Sequence, residues 1–463
     1  MDTSTPAAAG IHASGVADFL DALETDPRIE PHGLIIQRHG RRIAEGYWAP
    51  HDAGRSRLVY SLSKSFTGAA LGLQLGEGRL SLDDLVGDHL PEFFDDDTPE
   101  ATRRMRIRDI ASMASGHAAE TILDAFVSDP EDPVRGFLRI PPDAEPGTVF
   151  AYNQPPVLTL ARILQRLAGK RLVDYLRPRV LDPIGIGDLR WSQLPEGFDM
   201  GFSGVFTDLD AVARLGQLHL DDGVWNDRRI LPAGWVAEAS AVQTPNGDWD
   251  QVDWQQGYGF QCWISRHGYR GDGAFGQFMV VLPDDDVVIA MFSCTSDMQT
   301  VLDAMWEHLL PAFADDALAP SADDDELAER MASLALPTVA DRLGGSAPND
   351  VPDAAFRRLD SEPSHFTITG IDTDGVRMTI HEGEDSFSVP LTERWTVDDG
   401  VAASATRREG GRIAVDLSFL HTPHRLEVEL DPVAGTFVAQ WPLMPLFGIG
   451  ADHRLTALRT PPD

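Results

Sequence analysis

Ser61-Leu62-Ser63-Lys64 opens an almost wholly apolar run that continues through Glu77 and is stopped by Gly78. Small and hydroxyl residues are its main breaks, which predicts a buried helix with a C′ glycine and with Ser61 at its positive N-terminus. Lys64 is one of only two lysines among 38 Lys and Arg residues, the other being Lys170. Arginine stays protonated at any accessible pH. A chain that uses it nearly everywhere, yet keeps a lysine beside a serine, points to an amine that must lose its proton. Three residues apart on one helix face, Ser61 and Lys64 come within contact distance. A serine hydroxyl is a poor nucleophile until a base takes its proton, and a lysine desolvated at a helix N-terminus has its pKa pushed down far enough to serve.

Working outward, Gly33 to Arg38 and Arg42 to Trp48 flank a His39-Gly40 turn and read as a β-hairpin. A short helix is expected from Ser14 to about Glu24. Patterns from Leu80 to about Trp191 are mainly helical, including Ile107 to Ala114 and Pro156 to Ala168. Strand-like segments return at Tyr258 to Ile264, Gln277 to Leu282 and Val287 to Ser293, before an amphipathic helix over Met298 to Leu310. One antiparallel sheet drawing strands from both ends of a domain, with helices between them, is an α+β layout rather than repeated βαβ. The expected organisation is a domain over 1–315 with a helical insertion at about 80–200, then a linker with a short helix over 316–350. An antiparallel barrel or sandwich follows over 351–463. Its strands are expected at Phe366 to Ile371, Val376 to His381, Ser386 to Leu391, Ala402 to Arg407, Ile413 to Leu420, Arg425 to Leu430 and Thr436 to Trp441.

The chain has 463 residues, 43% of them hydrophobic, enough to bury a sizeable core. Asp and Glu number 73 and leave a formal charge of -35, which disfavours nucleic acid and anionic membrane as partners. Met1 to Thr25 lack a basic segment followed by an apolar run, and no stretch reaches the apolar length of a membrane span, so a cytoplasmic location is expected. Cys262 and Cys294 read as buried free thiols. Gly271 to Gly276 fits Gly-x-Gly-x-x-Gly in letters, but a strand-like run follows where a dinucleotide site needs a helix; no cofactor is expected. His421 and His424 lack an accompanying acidic or cysteine cluster and read as a solvated or packed pair rather than metal-binding.

Two further candidates lie in the helical region. Tyr152, one of six tyrosines, stands in Phe150-Ala151-Tyr152-Asn153-Gln154; a phenol near a lysine ammonium is expected to be acidified and to relay protons. His117 follows Ser115-Gly116 and is a candidate pocket residue. The set of motifs is Ser-x-x-Lys opening a helix, Gly78-Arg79-Leu80-Ser81-Leu82-Asp83-Asp84, residues 107–117, Pro146-Gly147 leading to Phe150-Ala151-Tyr152-Asn153, and Gly273-Ala274-Phe275-Gly276-Gln277. In that order they resemble the serine β-lactamase and penicillin-binding-protein superfamily, and within it the class C β-lactamase-related esterases and amidases, over about residues 10–315. The resemblance implies Ser61 as acyl-forming nucleophile, Lys64 as its activator and Tyr152 as relay acid and base.

The chain departs from that pattern twice. Class C enzymes carry Asn two residues after the tyrosine, where this chain has Gln154 with Asn153 beside it, so either amide is a candidate for contact with substrate. The third motif, Lys-Thr-Gly, is absent, and Tyr269-Arg270-Gly271-Asp272-Gly273 stands in its place. Arg270 is the candidate replacement cation for a substrate carboxylate, and backbone N–H near Gly271 or Asp272, with that of Ser61, the candidate oxyanion hole. These readings give a serine hydrolase acting through an acyl-enzyme on a small ester or amide. An acyltransferase of the same fold and a catalytically idle ligand-binding protein are the alternatives, and a true β-lactamase is disfavoured. The last region resembles the barrel appended to some D-aminopeptidases of the family, for which covering the cleft or supporting a homodimer are the candidate roles.

Overall fold

A computed structural model describes residues 1–247, 249–349, 351–359, 367–446 and 454–462. The first sheet has six strands in the order Arg41–Tyr47, Ile29–Arg38, Val287–Thr295, Gln277–Leu282, Tyr269–Gly273 and Trp263–Ile264, antiparallel at every pairing. Its centre joins the two ends of the expected domain: Ile36 pairs with Ile289, which pairs in turn with Val280. Strand residues alternate between two faces, and both faces are apolar. Ile35, Met279, Val281, Ala290 and Phe292 enter one core with the helical region, while Leu34, Ile36, Phe278, Val280, Ile289 and Met291 enter a second core beneath the terminal helices.

The helix Ser63–Gly76 runs through the first core and is buried from Ser63 to Gln74. Neighbours on all sides explain its small residues: a Cβ on Gly72 would fall 2.4 Å from the Trp235 indole. Beside it lies Gln154–Ala168, whose two early prolines occupy a first turn that needs no N–H partners, with Lys170 exposed just past its end. The terminal helix Ala13–Thr25 packs on the opposite face, with Met298–Ala304. The stretch expected as a linker is largely packed. Ser321 and Asp324 form a capping box on Ala322–Ala332, and Leu327, Met331, Leu334 and Leu336 bury in the second core.

The C-terminal region forms a nine-stranded, nearly closed barrel-like sheet around a core of its own. Its order is Asp385–Pro390, Arg377–Glu382, Gly370–Thr373, Ala354–Arg358, Thr436–Gln440, Arg425–Asp431, Ile413–Phe419, Val401–Arg407 and Thr396–Asp398. All pairings are antiparallel save Ala354–Arg358 with Thr436–Gln440, which is parallel. The strand expected to begin at Phe366 starts at Gly370, and Phe366 itself lies outside the described residues. The segment Tyr258 to Ile264 contributes only Trp263–Ile264, because Gln261 sits at φ 65°, a left-handed conformation that breaks an extended run. Both cysteines are free and buried. Among the described residues no helix is long and apolar enough to cross a membrane.

Candidate active site

Ser61 lies in a 3₁₀ turn, Tyr60–Leu62, that leads into the long helix, one step outside the α-helix in which the sequence had placed it. Ser63 locks the turn: its hydroxyl donates to the Tyr60 carbonyl at 2.6 Å and accepts from Val205 N–H at 2.9 Å. Tyr60, immediately before Ser61, has φ 48°, a strained conformation for a bulky residue. Ser61 keeps partial access to solvent while Lys64 is 2% exposed. A reachable hydroxyl therefore stands over a dry amine.

Lys64 Nζ has three neighbours: Gln154 Oε1 at 2.7 Å, the Phe202 carbonyl at 2.9 Å and Ser61 Oγ at 3.2 Å. A neutral amine has two N–H bonds and one lone pair. The amide and carbonyl oxygens can only accept, so they take both N–H groups and turn the lone pair toward the Ser61 hydroxyl. Burial pulls the Lys64 pKa down to about 7, opposed by the more distant carboxylates of Glu120 and Asp272.

The Tyr152 phenol interacts with the Ser61 hydroxyl, and its ring centroid lies 4.7 Å from Lys64 Nζ. The ring stacks on Trp263, 5.0 Å between centroids and tilted 24°. The expectation of an acidified phenol does not hold. Burial drives its pKa up and outweighs the opposing interaction with Ser61, so Tyr152 stays a neutral O–H that donates and accepts without holding a charge.

Asn153 and Gln154 face different ways. Gln154 reaches Lys64, whereas Asn153 is fully buried and its Oδ1 accepts from the Thr121 N–H at 3.0 Å and hydroxyl at 3.1 Å. Asn153 therefore holds the 121 loop through its Oδ1, while its Nδ2 is buried without a hydrogen-bond partner among the described residues. Arg270 is likewise placed away from the opening: it is 0% exposed, pairs with Asp272 at 2.9 Å, donates to the Asp253 carbonyl and Ser265, and lies over the Trp254 ring at 4.2 Å. Side chains alternate along the strand, so Asp272 shares Arg270's side while Gly271 and Gly273 turn to the helix. The strand comes closest to the Ser61 turn at Gly273, where a Cβ would sit 2.0 Å from the Val59 carbonyl oxygen; at Gly271 it would meet Ser65 Oγ. His117 is buried, bonded to Ser115 Oγ at 3.1 Å and the Ile140 carbonyl at 3.2 Å, and so braces its own loop.

Sequence reasoning missed Glu120. It is exposed, close enough to Lys64 to act on its charge, and its carboxylate accepts from the Gln154 N–H at 3.1 Å at the start of that helix. Among 73 acids nothing marks it out. Missed too was the aromatic wall of Phe150, Trp249, Tyr258 and Trp263 beside Tyr152. The cluster of Glu30, His32 and His51 has metal-ligand chemistry. Arg57, however, donates to His32 Nδ1 at 2.7 Å and His51 Nδ1 at 3.3 Å, so a guanidinium already supplies the positive charge there.

Residues 16–311 match the model of the beta-lactamase family. The chain is 29% identical over 273 residues to penicillin-binding protein 4 of Amycolatopsis lactamdurans, covering 50% of this chain and 70% of that protein. It is 27% identical over 328 residues to the 6-aminohexanoate-dimer hydrolase of Paenarthrobacter ureafaciens, covering 65% of this chain and 82% of the relative. The octameric penicillin-binding protein homologue from Pyrococcus abyssi aligns with a TM-score of 0.50 at 13% identity, covering 89% of this chain and 96% of that one, a likeness of fold that includes the C-terminal sheet.

Proposed function

This chain belongs to the beta-lactamase family, and on that premise we propose that it is a serine hydrolase that acylates Ser61 with a small ester or amide and passes the acyl group to water. The observation that carries the reading is the buried Lys64 amine, 3.2 Å from Ser61 Oγ, with its two N–H groups claimed by Gln154 and Phe202.

In acylation the Lys64 lone pair takes the Ser61 proton as Oγ attacks the substrate carbonyl carbon. The carbonyl π electrons move to oxygen, and the N–H of Ser61 with backbone N–H at the Gly273 end of the strand stabilises that oxyanion. Collapse expels the leaving amine or alcohol, which takes a proton from the Tyr152 hydroxyl while Lys64 returns one to Tyr152. Water then follows the same path in reverse: its proton passes to Lys64, its oxygen bonds to the acyl carbon, and Ser61 Oγ leaves and recovers its hydrogen. Because Arg270 is bound by Asp272 and Glu120 sits at the rim, the site offers little to a substrate carboxylate and favours neutral esters and amides over penicillins.

The test is intact-protein mass spectrometry with a fluorophosphonate, alongside turnover of p-nitrophenyl acetate. Wild type should gain one adduct. Ser61→Ala should gain none and retain below about 1% of turnover, as loss of a covalent nucleophile costs several orders of magnitude. Labelling that persists in Ser61→Ala would place the nucleophile elsewhere.

A further inference from the structure

The hairpin that joins strands Ile413–Phe419 and Arg425–Asp431 reaches out of the C-terminal sheet into the catalytic region. Leu58 N–H donates to the His421 carbonyl at 2.9 Å, His421 Nδ1 lies 2.7 Å from the Ser56 carbonyl oxygen, and Arg57 donates to the Thr422 carbonyl at 3.0 Å. Arg425 pairs with Glu30 at 2.8 Å. The tip is stiff: Thr422 N–H bonds the Phe419 carbonyl, Phe419 N–H bonds that of His424, and Pro423 lies between them.

His424 goes deepest. It is 1% exposed, and its Nε2 lies 2.6 Å from the Tyr60 hydroxyl. Its ring stands edge-on to Phe275 at 4.7 Å, and Phe275 touches the Tyr60 ring at 5.3 Å. Tyr60 and Phe275 flank the chemistry: one precedes Ser61, the other lies in the turn that follows Gly273, and both hold positive φ, at 48° and 68°. Strained backbone of this kind persists only where its surroundings impose it. Here the surroundings include a residue more than three hundred positions further along the chain.

We infer that His424, carried by the C-terminal sheet, is a positioning residue that holds the Tyr60 turn and the Phe275 turn in register, so that Ser61 and the oxyanion-binding backbone face one substrate carbonyl. The inference rests on the acyl-enzyme reading of Ser61. It assigns the C-terminal sheet a part in the reaction, acting through the back of the nucleophile turn and not as a cover over the cleft. It also accounts for a buried histidine, which burial keeps neutral, set against the Tyr60 hydroxyl.

The experiment uses the full chain with His424→Leu, His424→Gln, Tyr60→Phe and the Leu/Phe double variant. Glutamine keeps an acceptor for the Tyr60 hydroxyl; leucine keeps bulk alone. His424→Leu should lower the rate of Ser61 labelling and the kcat for p-nitrophenyl acetate about 10- to 100-fold, with KM changed less than about threefold. His424→Gln should recover most of the loss, and the double variant should be no worse than the poorer single one, because both changes remove one contact. Hydrogen exchange over residues 57–62 should speed up in His424→Leu and return toward wild type in His424→Gln. Unchanged labelling and exchange in His424→Leu, or losses that multiply in the double variant, would overturn the assignment. If wild type itself takes no label, the acyl-enzyme reading fails, and the exchange measurements still decide whether His424 holds the turn.

Discussion

Acylation should switch on with rising pH around neutrality, because the Lys64 amine is the active form and burial brings its pKa to about 7. Two units below that value only about 1% of the amine is free of its proton, so the acylation rate at pH 5 should be roughly 100-fold below its plateau above pH 8. Lys64→Arg, charged throughout, should lose the plateau and leave a low, flat profile. The same shift carries a sign for stability. An unfolded Lys64 titrates near 10.5; between about 7 and 10.5 the unfolded chain therefore holds more protons than the folded one, and stability from this residue rises with pH across that window. Below pH 7 its full cost is present. A fall from 10.5 to about 7, at ~1.36 kcal/mol per unit, sets that cost at roughly 5 kcal/mol. Lys64→Met should thus be inactive yet more stable at pH 7 by a few kcal/mol, after the lost hydrogen bonds are subtracted. Stopped-flow burst kinetics with p-nitrophenyl acetate over pH 5–9, and urea melts of the methionine variant, measure both. A rate independent of pH from 5 to 8, or a methionine variant less stable than wild type, would refute the assignment of Lys64 as a buried base.

Gly273→Ala adds a methyl group 2.0 Å from the Val59 carbonyl oxygen; the strand must shift from the nucleophile turn, and labelling of Ser61 should fall by roughly 100-fold while circular dichroism stays native. Arg270→Ala removes one partner of a buried pair and should destabilise by about 3–5 kcal/mol in urea melts, leaving penicillin turnover no better and no worse relative to esters. A specific loss of penicillin turnover would instead make Arg270 a carboxylate anchor.

The contact between Ser61 and Lys64 was readable in the sequence: in a chain so poor in lysine, a lysine three residues after a serine at the start of an apolar run has few bland explanations. The barrel strands from Arg377 onward were readable because turn residues separate alternating runs, and their ends fall within a residue or two of expectation. Ala354–Arg358 and Thr396–Asp398 were not, since short or charged segments become strands only where a neighbour offers its edge. Which of Asn153 and Gln154 meets Lys64 depends on the backbone turn at Thr121, and the burial of Arg270 depends on Trp254 and Asp253, which reach it only through tertiary packing. Glu120 acquires meaning only from its neighbour, the first N–H of the helix that begins at Gln154.

The pairing of Ile36 with Ile289 at the centre of the first sheet also constrains how the molecule is made. During synthesis the hairpin Ile29–Arg38 with Arg41–Tyr47 leaves the ribosome with Leu34, Ile35 and Ile36 presenting apolar side chains to both faces of its first strand, and the partner strand Val287–Thr295 follows only after some 250 further residues, many seconds later at ordinary elongation rates. Closing so long a loop is slow, and the unpaired strand edge is open to aggregation until it closes. Yield in a foreign host should therefore depend on temperature and translation speed more than on the stability of the finished fold, and a circular permutant that makes these two segments neighbours in the chain would relieve the wait.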